Sequence, residues 1–352
     1  MPHRKARTAD IEQRLLIDAI YHRYHYDFRG YAQASLKRRL ASALVQFDCK
    51  TLSQLQDRVL HEPAVFPALL EYLTVQVSDM FRDPSYFQAL RQEVVPLLRT
   101  YPSLKVWVAG CSAGEEVYSL AILLQEEGLL DRTLIYATDI NPHALRAAES
   151  GVFDVSRVAA FTENHARSGA RSSLSNYYTA AYGRVVFDKG LREHMVFSDH
   201  SLATDSVFAE VHLVSCRNVL IYFERDLQDR ALGLFRESLC HRGFLGLGSK
   251  ESLRFSAHSD AFDDFVLQDR IYQQASLDTG TGAHNRKFLQ EMLRQAFARA
   301  RASGRPFSCE PCSSKACAVP RRRTRRCGGT PSAASQALCR LSTDAWWPRP
   351  ME

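Results

Sequence analysis

Three short runs in this chain hold side chains whose types and spacing can do chemistry together. The first is Val106-Trp-Val-Ala-Gly110-Cys-Ser-Ala-Gly114-Glu115-Glu116. A strand that runs into a Gly-x-x-x-Gly turn and then a helix lets a ligand approach bare backbone at the carboxyl edge of a sheet. The first acidic residue to end the next strand is Asp139, 25 residues after Gly114. A carboxylate there can bind the ribose hydroxyls of a nucleoside cofactor. The turn lacks the G-x-G-x-x-G phosphate signature, so an adenosyl cofactor without a pyrophosphate suits it better than a dinucleotide. Taken alone, the run also reads as a glycine turn with a solvated aspartate.

The second run is Val214-Ser-Cys216-Arg217-Asn218-Val-Leu-Ile221-Tyr222-Phe223. Its strand ends at Ser215, and Arg217, Asn218 and Tyr222 follow at the same carboxyl edge, where open α/β sheets bind ligands. The plainer alternative makes Tyr222 a core aromatic and Arg217 a surface charge. The third run is Val75-Gln76-Val-Ser78-Asp-Met-Phe81-Arg82-Asp-Pro84. The planar fork of Arg82 suits a carboxylate if it points into a cleft; otherwise Arg82 is a surface residue ahead of a helix.

The elements that must position these runs follow from hydrophobic period. Ile11, Leu15, Leu16, Ala19 and Ile20 share one helical face, as do Leu36, Leu40 and Leu44, then Leu52, Leu55, Val59 and Leu60, then Phe66, Leu69, Leu70 and Leu73. Asp83-Pro84 predicts a helix start with proline in the first position. From Leu104 the period changes to strands at Leu104–Ala109, Thr133–Thr138, Met195–Phe197, Val211–Ser215 and Phe244–Leu247. Helices are expected over 115–127, 142–149 and 224–241. Strands alternating with helices predict a parallel, doubly wound α/β sheet. Two strands at Phe262–Leu267 and Arg270–Gln273 should close it with an antiparallel hairpin. The irregular segment Phe161–Val186 reads as an insertion.

The 352 residues are 45% hydrophobic and 24% charged, enough to bury a sizeable core and too ordered in composition for wholesale disorder. No apolar run approaches the roughly 18 residues a membrane helix needs, and no secretory signal opens the chain, so a cytoplasmic protein is expected. The net charge of +6 invites a nucleic-acid reading, but its distribution argues otherwise. Residues 276–352 hold 14 Lys/Arg against 5 Asp/Glu; residues 1–275 hold 31 against 34. Four scattered cysteines (Cys49, Cys111, Cys216, Cys240) suit a reduced cytosol, while five more crowd into Cys309 to Cys339.

Together the three runs resemble the chemotaxis-receptor methyltransferases, the CheR family of S-adenosylmethionine-dependent protein-glutamate O-methyltransferases. The resemblance covers about residues 10–274 in order and spacing, and Leu247-Gly-Ser-Lys-Glu-Ser-Leu253 adds to it. It implies a small all-α N-terminal domain (1–90) before a Rossmann-like methyltransferase sheet (91–275) carrying a β-subdomain insertion at 155–195. It places cofactor-binding positions on Gln76, Ser78, Arg82, Gly110, Glu116, Asp139, Ser201, Leu202, Arg217 and Asn218, and sets Arg82 and Tyr222 beside the transferred methyl group. Gln76, Ser78 and Ser201 depart from the Asn, Thr and Asn usual in the family; they keep hydrogen-bonding groups but change their reach.

Methyl transfer from a sulfonium to a carboxylate suits these residue types. A glutamate, with a reference pKa of about 4.3, is already ionised at neutral pH and needs no general base. The twelve histidines form no H-E-x-x-H or comparable metal pattern, so S-adenosylmethionine is the one cofactor expected. The family docks a basic helical domain on acidic receptor helices, which makes Lys37-Arg38-Arg39 a candidate dock; a solvated helix face is the other reading. The expected partners are the cytoplasmic helices of methyl-accepting chemotaxis receptors, with no nucleic acid, no membrane insertion and a monomeric state. A non-catalytic adaptor is the alternative from another class.

Residues 276–308 resemble the opening of a diguanylate cyclase (GGDEF) domain, through Thr-Gly-x-x-Asn-Arg-x-Phe around Asn285 and Phe288. The signature Gly-Gly-Asp/Glu-Glu-Phe loop is absent. Residues 309–352 lose all hydrophobic periodicity and read as a disordered, out-of-frame or truncated end. Cys309, Cys312, Cys317 and Cys327 match no standard zinc spacing. The purified protein is therefore expected to make no cyclic dinucleotide from GTP; product in a turnover assay would reverse that reading.

Overall fold

Helical period alone puts Leu16, Ile17 and Ile20 on the buried face of α1 (Thr8–Tyr24) and Leu36, Leu40 and Ala43 on that of α2 (Gln33–Gln46). Helices α3 (Leu52–His61) and α4 (Val65–Leu73) follow the same rule. The Thr51 hydroxyl caps α3 by accepting from the Gln54 N–H. This computed structural model describes residues 7–276 together with Met292, Leu293 and Arg301. The cyclase-like segment and the cysteine-rich tail expected over 276–308 and 309–352 thus fall almost wholly outside the described residues.

After the linker, α5 (Pro84–Ala89) begins with the expected proline and runs through a π-helical turn at Leu90–Val94 into α6 (Val95–Leu98). The sheet then alternates with helices: β1 (Leu104–Ala109), α7 (Glu115–Glu126), β2 (Thr133–Asp139) and α8 (Pro142–Ser150). A small subdomain follows, made of β3 (Val152–Asp154), α9 (Val158–Arg167), β4 (Tyr178–Ala181) and β5 (Arg184–Phe187). It forms an antiparallel sheet in the order β3-β5-β4 and begins at Val152, a little before the expected insertion. The chain returns through α10 (Lys189–Arg192), β6 (Met195–Asp199), β7 (Val211–Cys216) and α11 (Arg225–Ser238), and ends the unit with β8 (Leu239–Leu247), β9 (Phe262–Val266) and β10 (Ile271–Gln274).

The large sheet has the order β6-β2-β1-β7-β8-β10-β9. Strands β6 to β8 pair in parallel, and β10 and β9 close the edge antiparallel, as the period predicts. One boundary differs. The helix expected over 224–241 stops at Ser238, and β8 starts five residues earlier than its apolar run. Leu239 pairs with Val211 across a bulge in β7. Neighbouring-strand hydrogen bonds outweigh a helical period that was still apolar there.

Each face of the sheet has its own core. Val106 and Val108 pack with α5 to α7 and the small subdomain, whereas Trp107 and Ala109 pack with α11 and all four N-terminal helices. The helices at the start of the chain therefore share a core with the sheet. Two main-chain bonds tie them further: Ala32 N–H to the Tyr222 carbonyl and Glu224 N–H to the Gly30 carbonyl, both 2.8 Å. These bonds fix α2 above the segment that carries Tyr222.

On the opposite core lies a buried charge network. Arg91, in the π-helical turn, pairs with Glu126 and with Glu127 (3.2 Å), and Arg99 and Arg171 also reach Glu127, at 2.7 and 2.9 Å. His165 Nε2 lies 3.2 Å from Glu126. Burial pushes the Glu126 carboxyl up, but hydrogen bonds from His165 and Ser172 and the charge of Arg91 outweigh it, so the group sits at about 2. A depressed carboxyl stabilises the fold above its unfolded value and loses that contribution as pH falls toward the folded one. Urea unfolding at stepped pH should show wild-type stability over Glu126→Gln shrinking between pH values of about 4.5 and about 2; a pH-independent difference would contradict the pairing.

Candidate active site

The strand order reverses beside β1, with β2 on one side and β7 on the other, and the carboxyl ends of these strands open on a cleft. Its wall includes residues of all three sequence runs and three from the helical region, Tyr31, Arg39 and Thr74. Four non-glycine residues at or next to the cleft hold positive φ: Phe81 (50°), Asp83 (56°), Ser112 (52°) and Asn218 (60°). Left-handed backbone at such residues costs of order 1–3 kcal/mol each and persists only where surrounding contacts over-determine it.

The β1 turn folds because its backbone is satisfied from β2. Gly110 and Cys111 N–H both donate to the Thr138 carbonyl (2.8 and 2.9 Å), and Ser112 N–H donates to the Asp139 carboxylate at 2.8 Å. Gly110 has φ 74°, and a Cβ there would meet Val219 Cγ2 at 2.5 Å, so no larger residue fits. Asp139 also accepts from Asn141 N–H at 2.9 Å. Burial pushes its carboxyl up, against the pull of these backbone bonds. Burial likewise lifts the Cys111 thiol well above the ordinary thiol range, which leaves it a poor nucleophile.

Arg217 ties the three runs together. Its guanidinium pairs with Glu116 (3.1 Å) and Asp83 (2.8 Å), is shielded from solvent (1% exposed), donates to the Arg82 carbonyl at 2.8 Å and lies 4.1 Å over the Tyr86 ring. Tyr86 and Ser215 hydroxyls lie 2.9 Å apart, and Ser215 donates to Glu116 at 2.6 Å. Arg217 and Glu116 are thus largely engaged with each other, and Arg217 Nε remains buried without a partner. Arg82 contrasts with them. It is half-buried, lines the cleft, and its side chain has no acidic partner among the described residues.

Of the residues singled out in the sequence, Gln76, Ser78, Arg82, Gly110, Glu116, Asp139, Leu202, Arg217, Asn218 and Tyr222 all line this one cleft. Gln76 is held at both ends of its amide, by Ser112 (2.8 Å) and Thr74 (3.2 Å). Ser201 departs from expectation: it does not line the wall, although its neighbours His200 and Leu202 do. Its N–H is drawn to Asp205 at 2.9 Å, and its hydroxyl is buried without a partner. Arg39 departs in the opposite direction. Expected on a docking surface with Lys37 and Arg38, it is buried in the cleft wall, because it shares the inward stripe of α2 with Leu36, Leu40 and Ala43.

The sequence reading also missed Glu251. Its buried carboxylate accepts from the N–H groups of Gly248 (2.6 Å), Asn218 (2.9 Å) and Ile221 (3.3 Å), so one side chain holds the loop that carries Arg217, Asn218 and Tyr222. Burial raises its carboxyl, partly offset by those bonds. The signal was present, since Glu251 sits inside the run Leu247–Leu253, but nothing in spacing assigned it a partner.

An open, mostly parallel α/β sheet with a cleft at its switch point places the chain among the doubly wound α/β proteins, which bind ligands at that edge. Comparison with known proteins is more specific. Residues 76–269 match the CheR methyltransferase SAM-binding domain and residues 11–74 the CheR methyltransferase all-alpha domain, so the chain belongs to the CheR methyltransferase family. It is 63% identical over 269 residues to the methyltransferase Cher3 of Pseudomonas putida, covering 76% of this chain and 98% of that protein. It is 30% identical over 229 residues to the chemotaxis protein methyltransferase of Listeria innocua, covering 64% and 84%. The N-methyltransferase NodS from Bradyrhizobium japonicum, solved with S-adenosyl-L-homocysteine, superposes with a TM-score of 0.28 at 16% identity over 48% of this chain and 62% of that one. The protein is a methyltransferase of the chemotaxis class with S-adenosylmethionine as its cofactor. No helix among the described residues is long and apolar enough to cross a membrane.

Glu251→Gln removes the charged acceptor from three N–H groups. Hydrogen bonds to a charged group contribute about 1.5–3 kcal/mol each, so a loss near that size should appear in urea unfolding, with weaker S-adenosylhomocysteine binding by calorimetry. Unchanged binding would show that the loop holds its shape without Glu251.

Proposed function

We propose that this protein transfers a methyl group to glutamate side-chain carboxylates on the cytoplasmic helices of methyl-accepting chemotaxis receptors. The observation that carries the reading is Arg82, a guanidinium on the cleft wall with no acidic partner among the described residues, in the same cleft as Tyr222. A cation so placed is matched to an incoming carboxylate. The bound cofactor supplies an electrophilic methyl group on a sulfonium. Its fit is supported by the donor set: the Asp139 carboxylate at the end of β2 suits ribose hydroxyls, and the amides of Gln76 and Asn218 with the carboxylate of Glu116 suit its polar ends. The unpartnered Arg217 Nε and Ser201 Oγ are further buried polar atoms at or next to the wall.

The acceptor carboxylate arrives ionised, so no residue need take a proton from it. Anion and cation become neutral products, and charge disappears at the transition state. Excluding water and aligning the partners then contribute most. Arg82 orients the acceptor and Tyr222 sets the line of approach. On the outer face of α2, exposed Lys37 (paired with Asp10) and Arg38 remain as the part of the basic run able to meet acidic receptor helices.

Labelled S-adenosylmethionine incubated with receptor cytoplasmic domains from the host should yield base-labile methyl esters. Arg82→Ala should lower kcat/KM by about a hundredfold or more, the scale of lost alignment, with circular dichroism unchanged. Near-normal turnover in that variant would refute the role of Arg82. Binding of S-adenosylhomocysteine without transfer to any receptor would favour a non-catalytic adaptor.

A further inference from the structure

The segment between α4 and α5 carries Gln76, Ser78 and Arg82 on the cleft wall, yet it belongs to no helix or strand. No ladder of main-chain bonds sets its path, and side chains hold its carbonyls instead. At its far end Arg217 donates to the Arg82 carbonyl at 2.8 Å and pairs with Asp83. At its near end the holder is Arg157, in the turn between β3 and α9 of the small subdomain. One terminal nitrogen of Arg157 donates to the Ser78 carbonyl and to the Asp79 carboxylate (3.0 Å), and the other donates to the Glu115 carboxylate (2.7 Å). Asn164 of α9 adds a bond to the Met80 carbonyl at 3.1 Å.

The two arginines are anchored alike. Glu115 and Glu116 are consecutive in the first turn of α7; Glu116 pairs with Arg217 and Glu115 with Arg157. The Glu115 side chain is 1% exposed, and no other cation pairs with it among the described residues. Its second oxygen is buried without a partner. Burial raises its carboxyl, and Arg157 pulls the other way. Neither Arg157 nor Glu115 lines the cleft, so what they contribute to binding passes through the segment they hold. We propose that Arg157 is a positioning residue of the cofactor site: anchored on Glu115, it fixes Ser78 and the path from there to Arg82, and so makes the inserted subdomain part of that site.

This role needs only the cofactor, whatever the methyl acceptor, and receptor does not enter its test; failure of the glutamate reading and failure of Arg157 are thereby told apart. Losing Arg157 has two separable effects. It strips the counter-ion from a buried carboxylate, which lowers stability, and it releases Ser78 and Asp79, which lowers affinity. Removing both charges of the pair spares the first and not the second.

Calorimetric titration of the full-length protein with S-adenosylhomocysteine, beside thermal melts, separates the two. Arg157→Ala should bind about tenfold or more weakly, the scale of lost charged hydrogen bonds, and melt at a lower temperature. Arg157→Met combined with Glu115→Gln should melt near wild type yet keep the weak binding. Arg157→Lys keeps a cation for Glu115 without the fork that spans both carboxylates and the carbonyl. Its affinity should be intermediate, and it carries the test if the other variants do not fold. A residue that only stabilised the subdomain would lower the melting temperature and the fraction of protein able to bind, while that fraction kept wild-type affinity. Wild-type affinity in any of the three variants, or an affinity that recovers together with the melting temperature in the double variant, would overturn the assignment.

Discussion

The cleft depends on one buried guanidinium. Arg217 reaches from the end of β7 to Glu116 at the start of α7 and to Asp83 at the start of α5, and it lies flat on Tyr86. Those partners come from two stretches of chain far from Arg217 in sequence, so a single side chain sets their distances. A buried pair of this kind adds little net stability, because desolvation offsets the attraction, but removing one partner leaves a costly bare charge. Its contribution is geometric. It holds the linker, the start of α7 and the β7 loop in one arrangement, and Arg82, next in sequence to Asp83, lines the cleft with no acidic partner among the described residues.

That arrangement also accounts for the strained backbone. Phe81, Asp83, Ser112 and Asn218 each hold a left-handed conformation beside a fixed bond: Phe81 N–H to Ser119, Asp83 to Arg217, Ser112 N–H to Asp139, and Asn218 N–H to Glu251. Each of those bonds has a buried or half-buried partner. The site is rigid because independent acceptors converge on it from β2, α7 and the loop after β8.

Much of this was legible in the chain. The strand runs at Leu104 and Thr133, the proline start of α5 and the antiparallel close of the sheet all follow from local period and turn chemistry, and the structure keeps them. Where local period was ambiguous, strand pairing decided, as at Leu239, which left a helical stripe to join β7. Ten of the eleven residues singled out share one cleft because their runs end at the same edge of the sheet. Ser201 lies next to the wall between His200 and Leu202, with its N–H bonded to Asp205. The net charge of +6 had the least to say, because it sums a basic tail with a slightly acidic remainder.

By itself the sequence determined the alternation of elements, the family resemblance and which residue types stand at the ends of β1, β2 and β7; these are local properties, written in spacing a few residues long. Only the tertiary structure decided how the charges pair. Arg217, Arg82 and Arg39 are alike in sequence, yet one is paired with two carboxylates, one faces the cleft half-buried and one is buried with no acidic partner among the described residues. The difference lies in partners 34 to 135 residues distant along the chain, and no local pattern carries that information.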